Sequence, residues 1–280
     1  MASGNHLLID ADIPMYKVAS VCEQVVDWGD EVVSATCNME DAKYTFGVWL
    51  DELLTNWPEE VVKVTLAASS KTNFRKKLWP DYKGHRTSRK PIGYSKLKAW
   101  VQQEYGLVIV PDLEADDVLG ILATGDKGSQ CVIVSTDKDF KQIPAKFYNP
   151  DSDIMVHTDP EAADYFHMYQ TLVGDPSDGY KGCPGIGHVR ATQLLTDTPK
   201  GDWWALVVSL YEAKGLTEED ALLNARMARI LRKDEWDPKK KEPILWTPDR
   251  LSGPTTASAS GAVSTVSGHA VTPETQRSAE

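Results

Sequence analysis

Between Leu113 and Phe140 the chain sets carboxylates at both ends of an apolar run. Glu114, Asp116 and Asp117, in Leu-Glu-Ala-Asp-Asp, open a segment of helical character. Asp137 and Asp139, in Ser-Thr-Asp-Lys-Asp, follow the apolar stretch Cys131 to Val134, which has the length and composition of a buried strand. Like charges gathered where a strand leaves a core repel one another in a medium that screens them poorly, so the arrangement calls for cations. Donor sets made only of oxygen suit Mg²⁺ or Mn²⁺. The bland alternative is that the three acids at 114–117 do no more than complement a helix dipole.

The rest of the chain is read by what it brings to this acidic centre. His6-Leu-Leu-Ile-Asp10 is a short apolar run ending in an acid. It reads as a strand that delivers Asp10 at its carboxyl end, where ligand sites of open α/β sheets gather. Asp12 reads as a cap on the following helix, since Pro14 stands where a first helical turn would start. Residues 39–57 carry Phe46, Leu50, Leu53, Leu54 and Trp57 at helical spacing, and Pro58 ends them. Residues 61–67 form a second strand with no acid after it, because the chain continues Ala67-Ala68-Ser69-Ser70. Residues 94–105 are helical up to Gly106, and 107–110 are a strand. Glu114 and Asp117, three apart, share one helix face while Asp116 points elsewhere.

From Lys71 to Lys90 there are eight Lys or Arg and one acid, Asp81, in a chain whose net charge is −11. Phe74, Trp79 and Tyr82 are interleaved with these cations, a pattern that suits phosphates and unstacked bases together. Pro80, Gly84 and Pro91 rule out one regular helix through the stretch. Helical periodicity resumes at Asp159 and is followed by Gly174-Asp175-Pro-Ser-Asp178 and by Pro-Gly185-Ile-Gly187 before an amphipathic helix, a helix-hairpin-helix signature. Such glycines let a backbone approach a phosphate closely, and the helix start offers it free N–H groups. Two more helices cover 202–213 and 217–232, and the Ser/Thr/Ala-rich composition of 251–280 reads as a disordered tail.

Hydrophobic content of 41% and charged content of 25% are those of an ordinary soluble globular protein. Cys22, Cys37, Cys131 and Cys183 show no metal-binding spacing and read as free thiols of a reducing cytoplasm. No signal peptide and no membrane span are expected.

As an ordered set these motifs resemble the 5′→3′ exonucleases related to flap endonucleases, particularly the stand-alone enzymes of bacteriophages. The matching pieces are Leu-Leu-Ile-Asp10; Phe74-Arg75 with Pro-Asp-Tyr82-Lys83-Gly-His-Arg86; Leu113-Glu-Ala-Asp-Asp117; Ser135-Thr-Asp-Lys-Asp139; and Gly174-Asp175-x-x-Asp178 with Pro-Gly185-Ile-Gly187. The resemblance implies an α/β fold with a mostly parallel central sheet flanked by helices (a PIN-like 5′-nuclease core), a helical arch and a C-terminal helix-hairpin-helix sub-domain. The expected division is a core at 1–160, with its arch at about 71–105, then a DNA-binding sub-domain at 161–250 and the tail at 251–280. It implies two Mg²⁺ (or Mn²⁺) ions, the first held by Asp10, Glu114 and Asp116 with Asp117 in support, the second by Asp137, Asp139 and Asp178 with Asp175 acting through water. K⁺ would sit at the helix-hairpin-helix.

Lys83 and Arg86 would then be catalytic, binding the scissile phosphate. Arg75 would hold phosphate or the arch base, Tyr82 would stack on an unpaired base, and Gly185 and Gly187 would grip duplex backbone. The expected partners are DNA with 5′ ends, nicks or flaps and RNA in RNA·DNA hybrids, met by a cytoplasmic monomer with no membrane attachment. Relatives usually carry an Asp after the second strand, where this chain has none. Two rivals follow from single features. A phosphatase of the haloacid-dehalogenase type would use Asp10-Ala-Asp12, and a DNA-junction-binding protein with decayed catalysis would explain the absent Asp.

Overall fold

The computed structural model describes residues 6–57 and 63–252. The apolar runs read from the sequence become the middle of a six-stranded sheet in the order β5-β4-β1-β6-β7-β8. These strands are β1 (His6–Asp10), β4 (Lys63–Ala67), β5 (Leu107–Val108), β6 (Cys131–Val134), β7 (Lys146–Asn149) and β8 (Ile154–His157). Every pairing is parallel except the last, β7 with β8. A parallel sheet is covered on both faces, and Leu7, Leu8 and Ile9 are accordingly buried to within 1%. Their alternation assigns the faces. Leu7 and Ile9 pack with Met15, Phe46 and Leu97, and Leu8 packs with Leu119, Ile133 and Phe140. Each such side chain contributes about 1.5–3 kcal/mol of burial energy against the entropy of ordering.

Helices α1 (Asp12–Val21), α2 (Met39–Thr55) and α4 (Tyr94–Glu104) cover the first face, and α5 (Ala115–Ala123) covers the second. The chain runs outward from β1 through β4 to β5 and then returns to lay β6 on the other side of β1. The order of winding therefore reverses between β1 and β6, where open α/β sheets form their crevice.

One piece has no counterpart in the sequence-based expectations. An antiparallel hairpin of β2 (Glu23–Asp27) and β3 (Val33–Cys37) follows α1, and its valines come in doublets with no buried face to betray a strand. The segment expected as the arch, 71–105, is helical at its two ends. Only α3 (Phe74–Leu78) precedes α4, and residues 79–93 run as turns, as Pro80, Gly84 and Pro91 dictate.

The C-terminal unit contains α6 (Pro160–Val173), α7 (His188–Thr196), α8 (Trp203–Glu212) and α9 (Glu218–Ala228) around Met168, Leu172, Trp203, Val207, Tyr211 and Trp246. Asp159 caps α6 ahead of Pro160, and Thr217 with Asp220 forms a capping box on α9. After α9 the chain returns to the sheet layer, burying Ile230 and Leu231 beside α5, so the two units share a core. Gly120 permits this, because a Cβ there would lie 2.4 Å from the Leu231 carbonyl. Of the stretch expected as a tail, 251–280, the first two residues belong to the helical turn Pro248–Ser252, with Leu251 packed on the C-terminal core; 253–280 lies outside the described residues. All four cysteines are unpaired, and among the described residues no helix is long and apolar enough to cross a membrane.

Candidate active site

The carboxyl ends of β1 and β6, the start of α5 and the loop after α6 meet at the crevice. Parallel pairing sets Asp10 beside the residue that follows β6, and Ser135 Oγ donates to Asp10 Oδ2 at 3.1 Å. The same hydroxyl accepts from the Asp137 N–H, and Asp137 Oδ1 accepts from the Asp139 N–H at 2.9 Å. Ser135 is thus the hinge between the acids of β1 and β6. Its neighbour Asp137 signals this in sequence, since Ser-x-Asp is a common local hydroxyl turn. At α5, Glu114 occupies the N-cap and Asp117 the third helical position in a reciprocal capping box. The box takes up the shared face and leaves Asp116 outside it, near enough to Asp10 and Asp137 for their charges to act on it.

Burial pushes the Asp10 carboxyl up to about 7, and the Asp12 and Asp137 carboxylates add to the effect. Asp139 is likewise raised to about 7 by burial and then by Asp137 and Asp175. Asp116 is raised well above the carboxylate range by burial, Asp10, Asp137 and Glu114, and Asp137 is raised mainly by burial. Glu114 behaves oppositely. Burial disfavours its charge, but Lys83 and Arg75 outweigh that and hold it at about 2. Lys83 Nζ lies 2.6 Å from Glu114 Oε1 and 3.3 Å from Asp178 Oδ1, while Arg86 donates to Asp178 Oδ1 and to the Ser177 carbonyl at 3.0 Å each. The Lys83 backbone has φ +56°, a left-handed conformation that costs a non-glycine residue about 1–2 kcal/mol and persists only where its surroundings enforce it. Its N–H donates to the Asp178 carbonyl at 2.9 Å, which is one such restraint.

Asp139 Oδ1 is buried without a hydrogen-bond partner. Among the described residues no three His, Cys, Asp or Glu side chains converge as a finished cation cage. The acids ring the crevice instead. A ring of mutually repelling carboxylates with an unsatisfied oxygen fits hard divalent cations by donor type. It also sets a pH dependence for the metal-free protein. Asp10 and Asp139 bind protons more tightly folded than unfolded, so between about pH 4 and 7 the native state holds the extra protons and stability falls as pH rises. Thermal melts in EDTA at pH 5 and pH 8 are expected to be higher at pH 5, and a divalent cation should flatten the difference.

Three of the expected site residues, Arg75, Asp117 and Tyr82, are buried. Arg75 is buried and uses all five N–H donors inside the protein, on Asp117 (2.8 Å twice), Glu114 and the Met227 and Arg229 carbonyls. It has none left for a phosphate. Asp117 is fully buried, with one oxygen on Arg75 and the Glu114 N–H and the other on Arg75 and the Leu231 N–H, so it braces the acidic centre from beneath. Tyr82 is 1% exposed and its hydroxyl bonds Glu114 and Asp178 at 2.9 and 2.8 Å, so its ring is not a platform for a base. Phe74 is buried and Trp79 half-buried, so the interleaved aromatics face inward.

Asp175 and Asp178 do stand at the crevice, adding charge to Asp139 and Asp137. Gly185 and Gly187 lie exposed on the hairpin before α7; Gly185 has φ +77°, and a Cβ at Gly187 would meet nothing within 4 Å. Gly174 and Gly182 differ, pressed against each other's backbones, where a Cβ would approach to 2.4 Å. Asp12 does not cap its own helix. It accepts from the Ser69 N–H at 2.7 Å and from the Tyr94 hydroxyl at 2.8 Å, which removes it from the role a D-x-D phosphatase would need.

Fold and site together define an α/β protein with an acidic crevice at its topological switch point and cations on the rim. The family model described as "5'-3' exonuclease, N-terminal resolvase-like domain" matches residues 6–164. An exodeoxyribonuclease of Enterobacteria phage T3 is 30% identical over 280 residues, covering 86% of this chain and 92% of that one, and an exonuclease of Escherichia phage T7 is 29% identical over 282 residues, covering 86% and 93%. Among solved structures, the T5 D15 protein co-crystallised with metal ions superposes with a TM-score of 0.59 at 14% identity, over 80% of this chain and 89% of its own, a likeness of fold. The chain belongs to the 5′-3′ exonuclease family.

Proposed function

We propose that this chain is a divalent-metal-dependent 5′→3′ exonuclease and flap endonuclease that hydrolyses phosphodiester bonds at the 5′ ends, nicks and flaps of duplex DNA, and of RNA in RNA·DNA hybrids. The observation that carries this reading is the ring of Asp10, Asp116, Asp137 and Asp139, raised towards neutrality by burial and mutual repulsion, beside the cations Lys83 and Arg86. Family membership and the metal ions of the T5 D15 protein support it. Asp10, Glu114 and Asp116 would hold one Mg²⁺ or Mn²⁺, and Asp137, Asp139 and Asp178 the other, with Asp175 nearby. Bound there, such ions would make a water nucleophilic at neutral pH and offset the negative charge that develops on the phosphate and the leaving oxygen.

The chain's own groups do the rest. Lys83 and Arg86, paired with Glu114 and Asp178 here, orient a phosphate when those acids are neutralised otherwise. The hairpin at Gly185–Gly187 meets duplex backbone away from the cut and fixes register without reading sequence. A K⁺ ion at that hairpin would rest on backbone carbonyls, since no acid occurs between Asp178 and Asp197. Water adds to phosphorus as the bond to the 3′ oxygen breaks and a proton passes to that oxygen, so a mono- or short oligonucleotide leaves with a 3′-hydroxyl and the remaining strand keeps the phosphate on its new 5′ end, which makes each later product 5′-phosphorylated.

The test is incubation of 5′-labelled nicked and 5′-flap duplexes, and their hybrid counterparts, with Mg²⁺, Mn²⁺ or EDTA. Short 5′ products in either metal and none in EDTA are expected. Tight binding with no cleavage in any metal would replace this reading with a junction-binding protein.

A further inference from the structure

Lys98 stands on α4 at the edge of the acidic centre, and nothing in the reading above uses it. Its Nζ donates to the Ser69 carbonyl at 2.7 Å. Ser69 lies two residues beyond β4, whose end is in register with Asp10, and its Oγ accepts from the N–H of Ala115 between Glu114 and Asp116. The ammonium is therefore one residue away from the acids on the Asp10 side, whereas Lys83 and Arg86 are attached to Glu114 and Asp178.

An ammonium has three donors. Among the described residues Lys98 uses one on Ser69, and the nearest carboxylate, Asp12 Oδ1, is 3.7 Å away and already accepts from Tyr94, while its other oxygen accepts from Ser69. Lys90 Nζ stands 4.4 Å above the ring of Tyr94, whose hydroxyl shares Asp12 Oδ1 with Lys98. A lysine that merely tied α4 to the β4 loop would not need a second cation beside it. Two ammonium groups flanking one carboxylate, with donors to spare, present a site for an anion, and the proposed reaction brings the substrate backbone to this edge.

We propose that Lys98, with Lys90, forms a second phosphate-binding locus that takes a backbone phosphate of the cleaved strand on the Asp10 side of the scissile bond. The inference rests on the nuclease reading. With Lys83 and Arg86 on the other side, the strand would be held at two points and could not slide across the acids, which is how register is converted into rate.

Binding of a 5′-flap duplex in EDTA, followed by fluorescence anisotropy across a range of KCl, tests it without turnover. Lys98→Gln and the exposed Lys90→Gln are each expected to reduce the slope of log Kd against log salt by about 0.7–0.9 relative to the parent, with Lys98→Arg retaining it. Duplexes carrying one neutral methylphosphonate, moved stepwise past the cleavage position, should weaken the parent at one step and leave Lys98→Gln no weaker at that step. Slopes and methylphosphonate profiles equal to the parent's in both Gln variants would overturn the inference and leave the nuclease intact. A parent that does not bind the duplex would overturn both. Lys90→Gln keeps the test decisive should Lys98→Gln melt early.

Discussion

An Asp116→Asn enzyme is expected to lose at least about a hundredfold in cleavage of a 5′-flap duplex while melting, in EDTA, no lower than the parent. The loss follows from position. Asp116 is the α5 acid that the capping box leaves out, and the charges of both Asp10 and Asp137 act on it, which makes it the link between the β1 and β6 carboxylates. Removing even the supporting partner of a metal ligand commonly costs 10–100-fold, and a ligand's own loss falls at or beyond that. The stability half has the opposite sign. Asp116 is half-buried, and Asp10, Asp137 and Glu114 each disfavour its charge, so an amide of the same shape removes repulsion without leaving a cavity. Paired cleavage assays and thermal melts decide the matter. A variant that both cleaves like the parent and melts like it would remove Asp116 from the site. A variant that loses activity because it unfolds would make the acid structural. Activity gained at the expense of stability is expected of catalytic groups, and this is where the trade should be visible.

Much of this is legible in the sequence, for physical reasons. The run Leu-Leu-Ile-Asp10 has the pattern of a buried strand with an acid at its end, and the three-residue spacing of Glu114 and Asp117 by itself separates those two from Asp116. What stays hidden depends on which way a loop faces. Tyr82 among cations has the same pattern whether it stacks on bases or closes a core, and the deciding contacts come from Glu114 and Asp178, far along the chain. Lys98 is invisible for the same reason, since its partner lies on the β4 loop. The β2–β3 hairpin has no buried face to impose a period.

Arg75 is the clearest case of such reversal, and Arg75→Met is expected to destabilise the protein by about 3–5 kcal/mol, or roughly 10 °C in melting temperature. A basic segment invites the view that each of its cations meets phosphate. Arg75 instead joins three parts of the chain that are distant in sequence. It bonds Asp117 bidentately on α5, takes the Met227 and Arg229 carbonyls where the chain leaves α9, and reaches Glu114 at the acidic centre. Methionine would fill much of the volume but strand Asp117, a carboxylate with no exposure to water, and leave two carbonyls unpaired. Lysine would not substitute, because a point charge cannot span the planar fork of five donors. Removing both charges in Arg75→Met with Asp117→Leu should recover part of the loss, since the greater share of it is the stranded carboxylate. The comparison that matters is with Lys90→Gln. If Arg75 were a phosphate ligand, its removal would lower the salt slope of DNA binding and spare the melting temperature. The structure requires the reverse, a large fall in melting temperature with the salt slope of the folded fraction unchanged.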